Sequence, residues 1–153
     1  MSICWYKDDE IGIFFDNYPD ISIKYLKPNS SLLDKKETYS RPFVLNQSLK
    51  VSIFDYVQSD KFCFTIAQNY CWNGASIPRF FWRIIGANAD NRFLIPSLIH
   101  DFICENHECI NSNRYLSTII FERLLYVSKV NPFSRWLMKH SVDNYQKFCN
   151  WEK

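Results

Sequence analysis

The feature that most constrains this chain is a change of pattern at Pro78. Before it, apolar residues come in strand-length runs separated by turn formers; after it, they recur at the three- and four-residue spacing of amphipathic helices. Ile11 to Phe15 and Ile21 to Leu26 flank Asn17-Tyr18-Pro19-Asp20, which predicts a hairpin or tight turn. Lys27 to Tyr39 is polar and is expected as loop. Phe43 to Leu45, Leu49 to Val57 and Lys61 to Gln68 continue the strands, and Gln58-Ser59-Asp60 suits a turn between the last two.

In the second half, Pro78 to Ile85 predicts a short helix stopped by Gly86. Phe93 to Glu105 follows, with Pro96 in its first turn and Ile95, Leu98, Ile99, Phe102 and Ile103 as its apolar stripe. Arg114 to Val127 is opened by Asn111-Ser112-Asn113. Asn131 caps a last helix that starts at Pro132 and runs to about Phe148, with Phe133, Leu137, Asn144 and Phe148 near one face. The expected class is α+β: a small antiparallel sheet in residues 1–77, then about four helices in residues 78–150, in one domain over 1–153.

Composition narrows the function classes. With 47% hydrophobic and 22% charged residues the chain is globular, not disordered. A net charge of +2 is too small to imply nucleic acid or an anionic membrane on charge alone. The 13 Phe, 9 Tyr and 5 Trp are expected mostly in the core, with some forming a contact surface for another protein. The N-terminus lacks a basic and then apolar leader, and no apolar run approaches the roughly 20 residues of a membrane span. A soluble protein of the cytoplasm is therefore expected, with six free, mostly buried cysteines and no Cys-x-x-Cys zinc pair.

Two patches carry polar and ionisable residues into otherwise apolar segments. The first is Trp72-Asn73-Gly74-Ala75-Ser76-Ile77-Pro78-Arg79-Phe80-Phe81-Trp82, a strand-to-helix corner. Asn73-Gly74 suits a backbone with positive φ, and Ser76 is placed to cap a helix whose first turn holds Pro78. Such a corner aims backbone N–H groups outward, where they could hold an anion or oxyanion; equally, its residues could simply build the bend. The second patch is His100-Asp101. Because helical residues turn about 100° apart, His100 lies beside the apolar stripe near Cys104 and His107, while Asp101 lies over Ser97 and Glu105. His100, Cys104 and His107, with Asp101 beside them, are a weak metal-ligand set; a lone His at a stripe edge is more often structural. A Ser76-His100-Asp101 triad is disfavoured, since an orienting carboxylate normally comes from elsewhere in the fold.

The Asn-Gly-Ala-Ser-Ile-Pro-Arg corner, followed some twenty residues later by Leu98-Ile99-His100-Asp101-Phe102-Ile103, resembles the family known as domain of unknown function 1353. The resemblance runs from about Val51 to about Phe148. It implies a shared fold and polar cluster, and an association with phages and prophages, but no settled reaction. The family's later helix tends to read Arg-x-x-Ala-Asp-x-x-Phe; here Arg114 and Phe121 match, while Ser117 and Thr118 stand where Ala and Asp are usual. Asn73, His100, Asp101 and Thr118 thus replace a more acidic set, which weakens the case for a carboxylate-held divalent metal.

Two functions follow as expectations. One is a virion-associated or protein-binding module in which corner and helix form a structural polar cluster. The other is a hydrolase-like enzyme, with His100 as general acid–base, Asp101 as its electrostatic partner or a metal ligand, Ser76 and Asn73 contacting substrate or oxyanion, and Gly74, Arg79, Arg114 and Thr118 lining the site.

Overall fold

A computed structural model describes residues 2–24, 29, 31–74, 91–110 and 112–148. In chain order the elements are β1 (Ile3–Lys7), β2 (Ile11–Phe15), β3 (Ile21–Ile23), α1 (Leu32–Ser40), β4 (Phe43–Leu45), β5 (Leu49–Asp55), β6 (Asp60–Ile66), β7 (Cys71–Trp72), α2 (Asn91–Glu105), α3 (His107–Ile110), α4 (Arg114–Val127) and α5 (Pro132–Phe148). The class is α+β, with antiparallel sheet first and helices after. The helix expected over Pro78 to Ile85 lies outside the described residues. No helix among the described residues is long and apolar enough to cross a membrane.

The described strands divide into two sheets rather than one. The larger has order β1-β2-β5-β6 and the smaller β3-β4-β7. Of the hairpin or tight turn expected around Asn17-Tyr18-Pro19-Asp20, the hairpin does not form: β2 pairs with β1 and β5, whereas β3 pairs with β4. The bend carries the chain from one sheet to the other, and Asn46 ties its far end, donating to the carbonyl and carboxylate of Asp20 and accepting from the Ser22 hydroxyl. The β5–β6 hairpin forms as expected, with Asp55 opposite Asp60 and Ser59 at φ 55 in the turn.

Alternation decides which face of the large sheet is buried. Ile11, Ile13 and Phe15 of β2 and Leu49, Val51 and Ile53 of β5 point into the core. There they meet Leu98, Ile99 and Ile103 of α2 and Leu116, Ile120 and Leu124 of α4, together with Phe43, Leu45 and Trp72 of the small sheet. A second cluster, Phe93, Phe121, Leu125, Val130 and Met138, seals α5 against α4.

Local chemistry sets the helix ends. Asn113 Oδ1 accepts from Leu116 N at 2.7 Å, and Asn131 Oδ1 accepts from Ser134 N at 2.8 Å, so both asparagines cap their helices. The polar stretch expected as loop contains α1 instead. Ser31 and Asp34 bond each other's backbone N–H in a reciprocal cap, Asp34 N to Ser31 Oγ at 3.1 Å and Ser31 N to Asp34 Oδ2 at 3.2 Å. Helix α2 begins at Asn91, so Pro96 falls in its second turn, where it offers no N–H to the carbonyl of Arg92.

Two surface expectations are corrected. The described cysteines are free, but Cys4, Cys63 and Cys109 are exposed and Cys71 and Cys104 only partly covered, Cys4 and Cys63 because they stand at outward strand positions. Aromatics also reach the surface more than expected: Tyr18, Tyr56, Tyr115, Tyr126, Phe133 and Trp136 are exposed. Phe133 shows that the buried face of α5 is offset from the expected one; Ser134, Met138 and Gln146 face inward, and Asn144 is exposed. His140 is exposed as well, its ring edge against Trp136 at 4.7 Å.

Candidate functional site

Strand β7 delivers the corner onto α2. Trp72 is buried, and its Nε1 donates to Ser97 Oγ at 3.0 Å, which in turn donates to the Leu94 carbonyl at 3.0 Å. The next residues turn: Gly74 sits at φ 79, a conformation that a Cβ disfavours. With its amide nitrogen toward the acceptors, Asn73 donates to Asp101 Oδ2 at 3.2 Å and to the Gly74 carbonyl at 3.1 Å. Corner and His-Asp helix thus touch through Asn73 and Asp101. Ser76 and Arg79 lie outside the described residues.

Behind Asp101 the cluster closes. His100 is 8% exposed, and the ring of Phe121 lies 4.8 Å from its own. Nε2 is 2.8 Å from Gln146 Nε2 and 3.5 Å from Cys104 Sγ, while Nδ1 is 3.7 Å from Asp101 Oδ1. Gln146 reaches across from α5 and links the rest: its Nε2 lies 3.2 Å from Ser117 Oγ and 3.4 Å from Cys104 Sγ, and its Oε1 lies 3.2 Å from Thr118 Oγ1. Ser117 and Thr118 also reach the Arg114 carbonyl, at 3.0 and 3.1 Å. The Arg114 guanidinium turns away to Asp143 at 2.6 Å, fastening α4 to α5. Thr118, standing where an acid is usual, is 4% exposed and part of this network.

The electrostatics follow from the packing. Burial of the His100 ring opposes its charge, but Asp101 and Cys104 favour it, and the balance lifts His100 to about 9. Burial pushes the Asp101 carboxyl upward, against the pull of His100. A neutral ring with its proton on Nδ1 accepts at Nε2 from the Gln146 amide. A charged ring donates there, and the amide must turn to present Oε1.

The candidate metal set does not assemble. Helix α2 ends at Glu105, and His107, in the short α3, turns Nδ1 to the Cys104 carbonyl at 2.9 Å. No group of three His, Cys, Asp or Glu side chains among the described residues is placed to hold a metal ion. An open groove of about 430 Å³ lies instead between β6 and α2–α3, lined by Phe62, Phe64, Phe102, Asn106 and Ile110 among others.

Gln146 is the member of the cluster that sequence reasoning missed. Its signal was the helical period: Ser134, Met138, Val142 and Gln146 recur every four residues on one face.

Fold and site together define an α+β protein with an internally bonded His-Asp-Gln cluster. Residues 50–142 match the family described as "Protein of unknown function (DUF1353)", and the chain belongs to that family. Asn73, His100, Asp101, Arg114 and Thr118 lie inside the matched stretch; Gln146 lies beyond it. The uncharacterized protein y4jT of Sinorhizobium fredii (strain NBRC 101917 / NGR234) is 52% identical over 33 residues, 22% of this chain and 10% of that protein. The chain thus matches about a tenth of that relative's length. No solved structure matches.

Proposed function

We propose that this protein is a non-catalytic binding module whose His100-Asp101 cluster is a scaffold joining sheet, α2, α4 and α5. One observation carries this reading: His100 is 8% exposed, and its ring nitrogens face Gln146, Cys104 and Asp101. A general acid–base must bring a ring nitrogen within hydrogen-bond reach of a substrate proton. The partner is a protein, and the phage association implied by the family resemblance makes a virion or host protein the first to test. The aromatics of α5 support this, since Phe133 and Trp136 stand exposed side by side, rings 6.3 Å apart.

Replacing His100 with Ala separates scaffold from enzyme. The scaffold requires a large loss of thermal stability. A variant that keeps the wild-type melting temperature would return the hydrolase-like reading to the front. For the binding role, a photo-crosslinker at position 136 should trap a defined virion or host protein, and a crosslinker at exposed Lys50 on the far face should not trap the same one. Equal trapping from both positions, or none, counts against a binding face on α5.

A further inference from the structure

The outer face of the large sheet carries a second, separate arrangement. Strand register places side chains in rows across it. One row runs Lys7, Gly12, Phe54, Lys61, and the next runs Cys4, Phe14, Ser52, Cys63. These positions alternate with the buried Ile11, Ile13, Val51 and Ile53, so they face away from the helices that cover the inner side.

Aromatic rings lie on this face where polar residues are the norm for a one-sided antiparallel sheet. Phe14 and Phe54 meet edge to face at 5.4 Å, and Phe54 and Tyr56 stack at 6.3 Å. Gly12 makes room for them: a Cβ there would come 2.7 Å from Tyr56 Oη and 2.8 Å from Phe14 Cε2. Tyr56 therefore reaches back over Gly12 of β2. The cations at the two ends of the first row complete the arrangement. The Lys7 ammonium lies 5.7 Å from the Tyr56 ring centre, and that of Lys61 lies 4.8 Å from the Phe54 ring centre. A hollow of about 310 Å³ beside them is lined by Phe14, Asp16, Ser52 and the exposed Lys50 and Lys61, among others.

The nearby carboxylates keep their charge but are held at the strand ends by backbone N–H groups. Asp16 accepts from Lys50 N at 2.9 Å, Asp55 from Val57 N and Gln58 N at 3.0 and 2.9 Å, and Asp60 from Lys61 N at 2.8 Å.

We infer that this face binds single-stranded nucleic acid, with bases stacking on Phe14, Phe54 and Tyr56 and the lysines Lys7, Lys50 and Lys61 contacting phosphates. Aromatic rings set on an open sheet, Phe54 parallel to Tyr56 and edge to face with Phe14, and bordered by cations suit bases that are already unpaired, whereas duplex bases keep their faces stacked. The net charge of +2 does not register such a site, because the three lysines are gathered on one face. The surface lies across the sheet from the cluster around His100, and it stands or falls independently of the proposed scaffold.

The test is fluorescence anisotropy of end-labelled single-stranded oligo-dT and oligo-U with the full chain, titrated across salt. Saturable binding is expected, with a log–log salt slope of about −2 for three neutralised phosphates at roughly 0.7 each. Phe54→Ala should weaken it roughly five- to 150-fold, the range for losing one stacked base. Lys50→Ser and Lys61→Ser, at exposed positions outside the core, should each lower the slope by about 0.7. Trp136→Ser on α5 should change nothing. No anisotropy change up to about 100 µM protein at low salt overturns the inference, since even non-specific binding falls within that range. So does binding indifferent to both lysine variants, or equal displacement of the oligonucleotide by a poly-glutamate peptide, which would mark a general acidic-partner surface.

Discussion

Replacing Gln146 with Leu removes the amide that closes the histidine cluster while keeping nearly the same side-chain bulk. Gln146 is 3% exposed and its amide lies within 3.4 Å of His100, Ser117, Thr118 and Cys104. Ser117 and Thr118 keep the Arg114 carbonyl as a partner, so the uncompensated loss falls on His100 Nε2. A buried polar group left without its partner costs about 1–3 kcal/mol. At this chain length roughly 2–4 °C follow each kcal/mol, so a fall in Tm of about 3–10 °C is expected. The double variant with His100→Phe removes both polar partners and should be less destabilised than the two single changes summed, by about 1 kcal/mol or more. Calorimetry gives Tm, and urea unfolding with an unchanged slope confirms that only stability moved. If Gln146→Leu melts within 1 °C of wild type, or the two changes simply add, the amide does not hold the histidine and the scaffold argument collapses.

Other expectations are narrower. His100, lifted from 6.5 to about 9, contributes stability that is complete below pH 6.5 and disappears as pH rises through about 9; a proton NMR titration of its ring with a midpoint under 6.5 contradicts this. Burial raises Asp8, but bonds from Tyr6 and the N–H groups of Ile11 and Glu10, and then Arg123, bring it down to about 2. Asp8→Asn should therefore cost stability above about pH 4 and almost nothing near pH 2, where wild-type Asp8 is also losing its charge, as urea midpoints at the two values would show. Ser134 is 1% exposed, and its Oγ has no partner among the described residues, so Ser134→Ala should leave Tm unchanged or raise it by a few degrees; a drop of similar size would point to a hidden partner.

Helices α4 and α5 were legible because Asn113, Asn131 and Pro132 are local signals that act through the backbone beside them. Helix α1 was hidden because its polar sequence masks the reciprocal Ser31–Asp34 cap, which spacing alone would have shown. Sheet partition was not legible. Whether the chain after Phe15 folds back on β2 or leaves for β4 is decided by long-range pairing that no local pattern encodes. The contact between Asn73 and Asp101 was anticipated from two motifs, but Gln146 came from a third element whose buried face was misjudged by the pull of its large aromatics. Phe133 and Trp136 look like core residues in sequence and stand in solvent.

The register of the large sheet also bears on where this protein can be cut. The family match begins at residue 50, within β5, yet β5 is paired along Val51 to Asp55 with β2, which lies wholly upstream. A fragment trimmed to the matched stretch would strip one long side of that strand, bare Val51 and Ile53 to water, and drop Gln146 from the other end. The stretch matched by the family model is shorter than the unit these contacts hold together, and expressed fragments should be drawn to the latter.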